Sequence, residues 1–269
     1  MTFLSLDQLS LTGLPPATFV DIAADAGFDA ISPMAGGGEG PFPTHRLAIG
    51  DPETEAMKRQ LAARGLTVNN LDGLVVMPEM DWGDLRRMVD VALHLGARAG
   101  VTLIFDPEPG RAADSFARLT EIAGDAGLPM LLEFTACSAI PSLSAAIAYL
   151  DRAGSDFGMV VDVLHLSYAG ETPADLAQVK RSRIGSAQIC DAPAAMSFED
   201  YQYSCMFERG APGDGELPLA DFLRALPADL PVGVEAPLKT RADNGMPPLE
   251  RAQLLHERAR AALAAAGRR

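Results

Sequence analysis

The chain has 269 residues, 36 acidic against 22 basic side chains, a formal net charge of −14 and 48% hydrophobic residues. This is globular composition, not disorder, and the acidic excess argues against nucleic acid or an anionic membrane as partner, since both need a basic face. Three cysteines without CxxC spacing, a start (MTFLSLDQLS) with no basic n-region or long apolar core, and no run of ~18–20 apolar residues predict a cytosolic protein with no disulfide framework, signal peptide or membrane span.

The apolar run Leu4–Leu11 predicts a first strand. Pro15 and Pro16 then open a helix through Ala26, which Gly27 stops. Asp29–Pro33 is a second strand, followed by a glycine-rich loop, Ala35–Gly40, and a helix from Pro52 to Arg64 closed by Gly65. Leu66–Leu71 is strand three, and Trp82–Leu95, closed by Gly96, is the next helix, with Trp82 packing it. Gly100–Phe105 is strand four and Ala112–Ala126, closed by Gly127, its helix. The scheme repeats with a strand at Met130–Phe134, a helix at Ser142–Arg152, a strand at Gly158–Val163 and a short helix at Pro173–Lys180. Strand seven is Ile184–Cys190. A long loop, Asp191–Leu217, leads to a helix at Leu219–Leu226, strand eight at Val232–Ala236 and a last helix at Pro248–Ala265.

Eight strand–helix units of about 34 residues each predict an α/β fold, a single (β/α)8 barrel over residues 1–269. Runs such as MLLEF and GMVVDV are apolar almost throughout, as parallel strands buried on both faces are. A doubly wound open sheet is the alternative. However, LTGLPPA after strand one is not the GxGxxG phosphate fingerprint, and Gly36–Gly38 reads as a loop, not a phosphate cradle.

Barrels of this kind carry their chemistry at the C-terminal ends of the strands. Four successive strand ends here hold polar residues inside apolar runs: Glu133 on strand five, Asp162 and then His165 on strand six, Gln188 and Asp191 on strand seven, and Glu235 on strand eight. A barrel converges these ends, and converging carboxylates need protons or a cation. A divalent ion held by Glu133, Asp162, Gln188 and Glu235 is the simplest solution. That all-oxygen set suits Mn²⁺ or Mg²⁺ better than Zn²⁺, with Co²⁺ or Zn²⁺ as the alternatives.

The segments LEF, DVLH, QICD, RGAPGDGELPL and VEAP, in this order, resemble the xylose isomerase-like TIM barrels, a group of sugar isomerases and epimerases that also includes the family-2 AP endonucleases. The resemblance implies one divalent metal on Glu133, Asp162, Gln188 and Glu235. It also implies proton transfer by Glu133 and Glu235 through a metal-stabilised enediolate, His165 touching a substrate oxygen or acting as a base, and Arg209 anchoring a substrate oxygen or carboxylate. Asp191 either orients Gln188 or Arg209 or caps its loop. Gln188 departs from the histidine usual in the isomerases and is similar to what some 3-dehydroshikimate dehydratases carry. The expected activity is therefore a sugar or keto-polyol isomerase or epimerase. The alternatives are a dehydratase of the 3-dehydroshikimate or keto-inositol type, then a barrel that binds without catalysis. Four histidines are too few for the multi-zinc cluster of the endonucleases. For a substrate carboxylate, His45 and Arg46 are the cations available after strand two. Lids at 35–50, 72–81 and 191–217 would choose the substrate, a small hydroxy-carbonyl compound. The Ala-rich last helix is expected to pack on its own barrel, a second copy of the chain being the alternative.

Overall fold

Hydrogen bonding between successive apolar runs sets the architecture. In a computed structural model, which describes residues 2–36 and 43–268, the strands are β1 (Leu4–Asp7), β2 (Ala30–Ser32), β3 (Thr67–Val68), β4 (Asn70–Leu71), β5 (Ala99–Thr102), β6 (Met130–Glu133), β7 (Gly158–Asp162), β8 (Ile184–Ile189) and β9 (Val232–Val234). All pairs are parallel, and the order is β3-β2-β1-β9-β8-β7-β6-β5-β4. Only Asn69 separates β3 from β4, so the sheet closes on itself through this segment. The Thr67 and Asn69 N–H groups donate to the carbonyls of Asp29 and Ile31 at 3.4 and 2.8 Å, while the Arg98 N–H reaches the Val68 and Asn69 carbonyls at 3.2 and 3.1 Å. The predicted third strand is thus one barrel strand bent at Asn69, and the (β/α)8 plan holds.

The helices are α1 (Pro16–Ala26), α2 (Pro52–Arg64), α3 (Trp82–Leu95), α4 (Pro109–Ala126), α5 (Leu143–Arg152), α6 (Val163–Tyr168), α7 (Pro173–Leu176), α8 (Phe198–Met206), α9 (Leu219–Ala225), α10 (Lys239–Asp243) and α11 (Pro248–Ala265). Gly96 and Gly127 end α3 and α4 with φ of 73° and 76°, a conformation that side chains with a β-carbon resist. Trp82, in the first turn of α3, is partly buried beneath the Arg118 guanidinium, 4.3 Å from its ring centroid. The buried face of α11, Ala252, Leu255, Ala259 and Leu263, packs on its own barrel against α1 and α9.

The first predicted strand is too long. After Asp7 the chain turns into a 3-10 segment, Gln8–Leu11, tied by side chains to its neighbours: Gln8 Oε1 accepts the Met34 N–H at 2.7 Å, and Ser10 Oγ donates to the Val234 carbonyl at 3.0 Å. The predicted loop after strand seven contains α8, capped by Ser197, whose Oγ accepts the Asp200 N–H at 3.1 Å. The predicted strand-to-loop step after Asp162 is the short helix α6. Of the glycine-rich loop, Gly37–Gly40 lie outside the described residues, as does part of the predicted lid 35–50. No helix among the described residues is long and apolar enough to cross a membrane.

Candidate active site

Side chains alternate along a strand. Leu131 and Glu133, Val160 and Asp162, Ser186 and Gln188, and Gly233 and Glu235 therefore share the inner face of the barrel, as do Ser5 and Asp7. At the lower level Ala99, Val101, Leu131 and Val160 form a small apolar cluster apart from the main core. Gly185 makes room for it, since a β-carbon there would stand 2.2 Å from Leu131 Cδ2. One step higher, above Leu131 and Val160 and above Ser5, Ser186 and Gly233, the inner face carries four acids and an amide, all buried: Asp7, Glu133, Asp162, Gln188 and Glu235.

The structure brings the four expected metal-site residues and His165 to one end of the barrel. One ligand atom from each of Glu133, Asp162 and His165 lies within 4.8 Å of the other two. Asp162 caps α6, its Oδ1 accepting the Leu164 N–H at 2.7 Å, and this first turn carries His165 inward, with Nε2 3.6 Å from Glu133 Oε1. Gln188 Nε2 donates to Asp7 Oδ2 at 3.0 Å, which leaves Gln188 Oε1 buried without a hydrogen-bond partner. An acceptor buried without a donor is costly, and a cation satisfies it. The buried acids beside it ask for the same thing, so the residues present fit a metal ion. The Glu133–Asp162–His165 triad alone could bind one.

Arg209 reaches the centre by a different route from the one expected. It is 3% exposed. Its Nη1 lies 2.7 Å from Asp162 Oδ2 and 3.0 Å from Glu235 Oε2, and also donates to the Glu235 carbonyl at 3.1 Å, while Nε and Nη2 donate to the Ser204 and Cys205 carbonyls at 3.2 and 3.0 Å. It holds two carboxylates of the protein and also lines the cavity. Asp191 proves to be a loop cap. Its Oδ1 accepts the Ala192 and Leu217 N–H groups at 2.9 and 3.0 Å, and its Oδ2 accepts that of Gly213 at 2.9 Å. His45 and Arg46 are committed at the surface, to Glu53 at 2.9 Å and Asp84 at 2.7 Å.

A cavity of about 450 Å³ opens onto this end of the barrel. Glu133, His165, Arg209, Glu235 and Asp72 line its polar side, and Leu103, Phe105 and Met206 are among its apolar wall. Three residues of this centre escaped the sequence reading. Asp7 was legible, as the acid that ends the alternating strand LSLD. Asp72, beyond β4, brings an Oδ1 with no hydrogen-bond partner. Tyr201 on α8 is wholly buried, its hydroxyl 2.9 Å from His165 Nδ1. The cap signature Ser197-Phe-Glu-Asp200 could have revealed its helix, though not its contact.

Burial dominates the electrostatics. It pushes Asp7 up to about 6 and Glu235 up to about 8, against the lowering effect of hydrogen bonds to Asp7 and of Arg209 beside Glu235. Glu133 and Asp72 are raised well above the carboxylate range by burial and then by neighbouring acids. Burial drives His165 the other way, to about 4. The folded protein therefore keeps carboxyl protons that the unfolded chain has already lost, so metal-free stability falls as pH rises from the unfolded carboxylate range through about 6 and about 8. His165 opposes this only between its ordinary value and about 4. In chelator, the thermal midpoint is expected to drop by about 5–10 °C from pH 6 to pH 8. A flat profile would contradict the buried acids.

Gly233 is a second point of test. A β-carbon there would stand 2.4 Å from Asp7 Oδ2. Gly233→Ala is expected to displace the carboxylate that holds Gln188 and to cost about 1–3 kcal/mol in urea unfolding.

Comparison with known proteins agrees with this fold. The profile of the xylose isomerase-like TIM barrel family matches residues 20–260. A Streptomyces coelicolor protein, named provisionally as a hydroxypyruvate isomerase, is 26% identical over 252 residues, covering 81% of this chain and 83% of that one. A xylose isomerase domain protein from Alicyclobacillus acidocaldarius superposes with a TM-score of 0.76 at 21% identity, over 99% of this chain and 100% of the other. The IOLI protein, solved with a bound zinc atom, does so with a TM-score of 0.76 at 16% identity, over 99% and 98%. A D-allulose 3-epimerase from Methylomonas and a Bacillus anthracis protein named as a probable 3-DHS dehydratase share the fold, with TM-scores of 0.69 and 0.74 at 18% and 15% identity, over 98% and 96% of this chain and 96% and 98% of theirs.

Proposed function

The chain belongs to the xylose isomerase-like TIM barrel family, and on that premise we propose that it is a divalent-metal-dependent isomerase or epimerase of a small hydroxy-carbonyl compound. The observation that carries this reading is the buried set of Glu133, Asp162 and Glu235, the last two joined through Arg209, beside a Gln188 Oε1 that has no donor. Glu133, Asp162, Gln188 and Glu235 would hold the ion, and their oxygen donors suit Mn²⁺ or Mg²⁺. A bound ion would supply polarisation of the substrate carbonyl.

The proton work falls to the chain's own residues. Glu133 ends β6 and Glu235 follows β9, with β7 and β8 between them, and burial raises both above the ordinary carboxylate range, which disposes each to hold a proton and return it. One removes the proton beside the carbonyl to give an enediolate. Return of a proton to the former carbonyl carbon, with the neighbouring hydroxyl proton passing to the former carbonyl oxygen, isomerises the substrate, and return to the opposite face of the first carbon epimerises it. The apolar wall restricts water around the reacting carbon, and Asp72 Oδ1 is free to meet a substrate hydroxyl.

Arg209 is committed to Asp162 and Glu235, so the lining favours an uncharged polyhydroxy ketone or aldehyde over a carboxylate. A dehydratase would begin with the same proton removal and then expel hydroxide from the β-carbon. Gln188 keeps that reading as the alternative.

The test combines metal content with deuterium uptake. Metal-loaded protein is incubated in D₂O with ketoses, keto-inositols, hydroxypyruvate and 3-dehydroshikimate. Uptake beside the carbonyl without loss of water is expected. Aromatic absorbance arising from 3-dehydroshikimate would replace this proposal with the dehydratase, and protein that retains no stoichiometric divalent metal would overturn it.

A further inference from the structure

His165 sits in the first turn of α6, and what its ring can do depends on which nitrogen carries the proton. Its Nδ1 is 2.9 Å from the Tyr201 hydroxyl. That hydroxyl also lies 2.7 Å from Thr135 Oγ1 and accepts the Ala136 N–H at 3.1 Å. Thr135 Oγ1 in turn accepts the Cys137 N–H at 3.3 Å. The Cys205 thiol also touches the Tyr201 hydroxyl, but a thiol is a weak partner in either direction.

The direction of the chain follows from counting hydrogens. A phenol has one hydrogen to give and two lone pairs to offer. Ala136 occupies one lone pair. If Nδ1 carried the proton, it would occupy the other. Tyr201 would then donate to Thr135, and the hydroxyl hydrogen of Thr135, a residue 4% exposed, would have no acceptor among the hydrogen bonds of the described residues. Reversed, Thr135 donates to Tyr201 and Tyr201 donates to Nδ1, and every hydrogen is used. Buried polar groups are almost always satisfied, so the second direction prevails.

We infer that Tyr201 is a positioning residue that holds His165 as the tautomer protonated on Nε2, which makes the imidazole a hydrogen-bond donor to the substrate oxygen beside Glu133 and neither a metal ligand through Nε2 nor a base. An Nδ1 that accepts the Tyr201 hydroxyl carries no proton, so the ring holds a single proton and is neutral. With Nε2 protonated, the ion is left to the oxygens of Glu133, Asp162, Gln188 and Glu235. The tautomer stands on geometry alone. Its part in turnover rests on the isomerase reading.

Long-range ¹H–¹⁵N spectra of histidine-labelled protein report the tautomer directly, with the His165 signals identified by their loss in His165→Gln. The wild type is expected to show protonation at Nε2. Tyr201→Phe keeps the ring stacked on Tyr168, whose centroid is 3.7 Å away, but removes the donor. It should give a measurable share of the Nδ1-protonated ring and a fall in kcat of about 10–100-fold with little change in KM. Thr135→Val leaves the Tyr201–His165 bond in place and should leave the tautomer unchanged. Nδ1 protonation in the wild type, a tautomer indifferent to Tyr201→Phe, or one that flips on Thr135→Val would each overturn the inference. The spectra need no turnover, so an inactive substrate panel counts against the isomerase reading, and a wrong tautomer counts against this one.

Discussion

Glu133→Gln is expected to cut deuterium uptake beside the carbonyl by about 10²–10⁴-fold, the usual contribution of a positioned acid or base. Glutamine keeps the shape and can still offer an oxygen, but it cannot take up a proton and carries no charge for a cation. Metal affinity, read by titration with Mn²⁺, is expected to fall with it. The fold is expected to survive, because burial and the neighbouring acids already disfavour the charged form of Glu133, so urea unfolding in chelator should show no loss. Unchanged exchange would remove Glu133 from the reaction. Unchanged metal affinity would remove it from the ion site.

The largest effect on stability belongs to Arg209. Two buried carboxylates, from β7 and the end of β9, meet on one nitrogen of its guanidinium. Taking away one partner of a buried charge pair costs about 3–5 kcal/mol, because the charge left behind has neither water nor counter-ion. Arg209→Met, which replaces most of the volume with an apolar chain, is expected to lose about that much in urea unfolding in chelator. Saturating Mn²⁺ should return part of the loss, since a divalent ion supplies positive charge to the same acids. A variant as stable as the wild type in chelator would show that Asp162 and Glu235 do not depend on the arginine.

The helix ends were the most legible part of the fold. Proline at the first position of α2 and α11 and glycine just past the last residue of α2 and α3 act locally, and all three helices run between the predicted residues. The inner-face acids were legible for a similar reason: a charge inside MLLEF or GMVVDV is too costly to be incidental. The bend at Asn69 was not readable, because it exists only where two different neighbours bond to the two halves of one segment. Helix α6 was hidden because its cap, Asp162, is also a strand end. Arg209 could be placed near the site but not assigned its partners, since a loop folds back according to contacts that spacing does not encode. The chain from Thr135 through Tyr201 to His165 joins three separate elements, and a pattern along the sequence cannot show it.

Arg209 also bears on the order in which the protein is assembled. A cation that is part of the polypeptide is present at the moment of folding, whatever the supply of metal in the surroundings. The acids of β7 and β9 can close around it first, and an ion can enter a barrel that already exists. On the metal-dependent reading proposed above, maturation would be two separable events, folding and metal capture, and one ion could be exchanged for another without the chain coming apart.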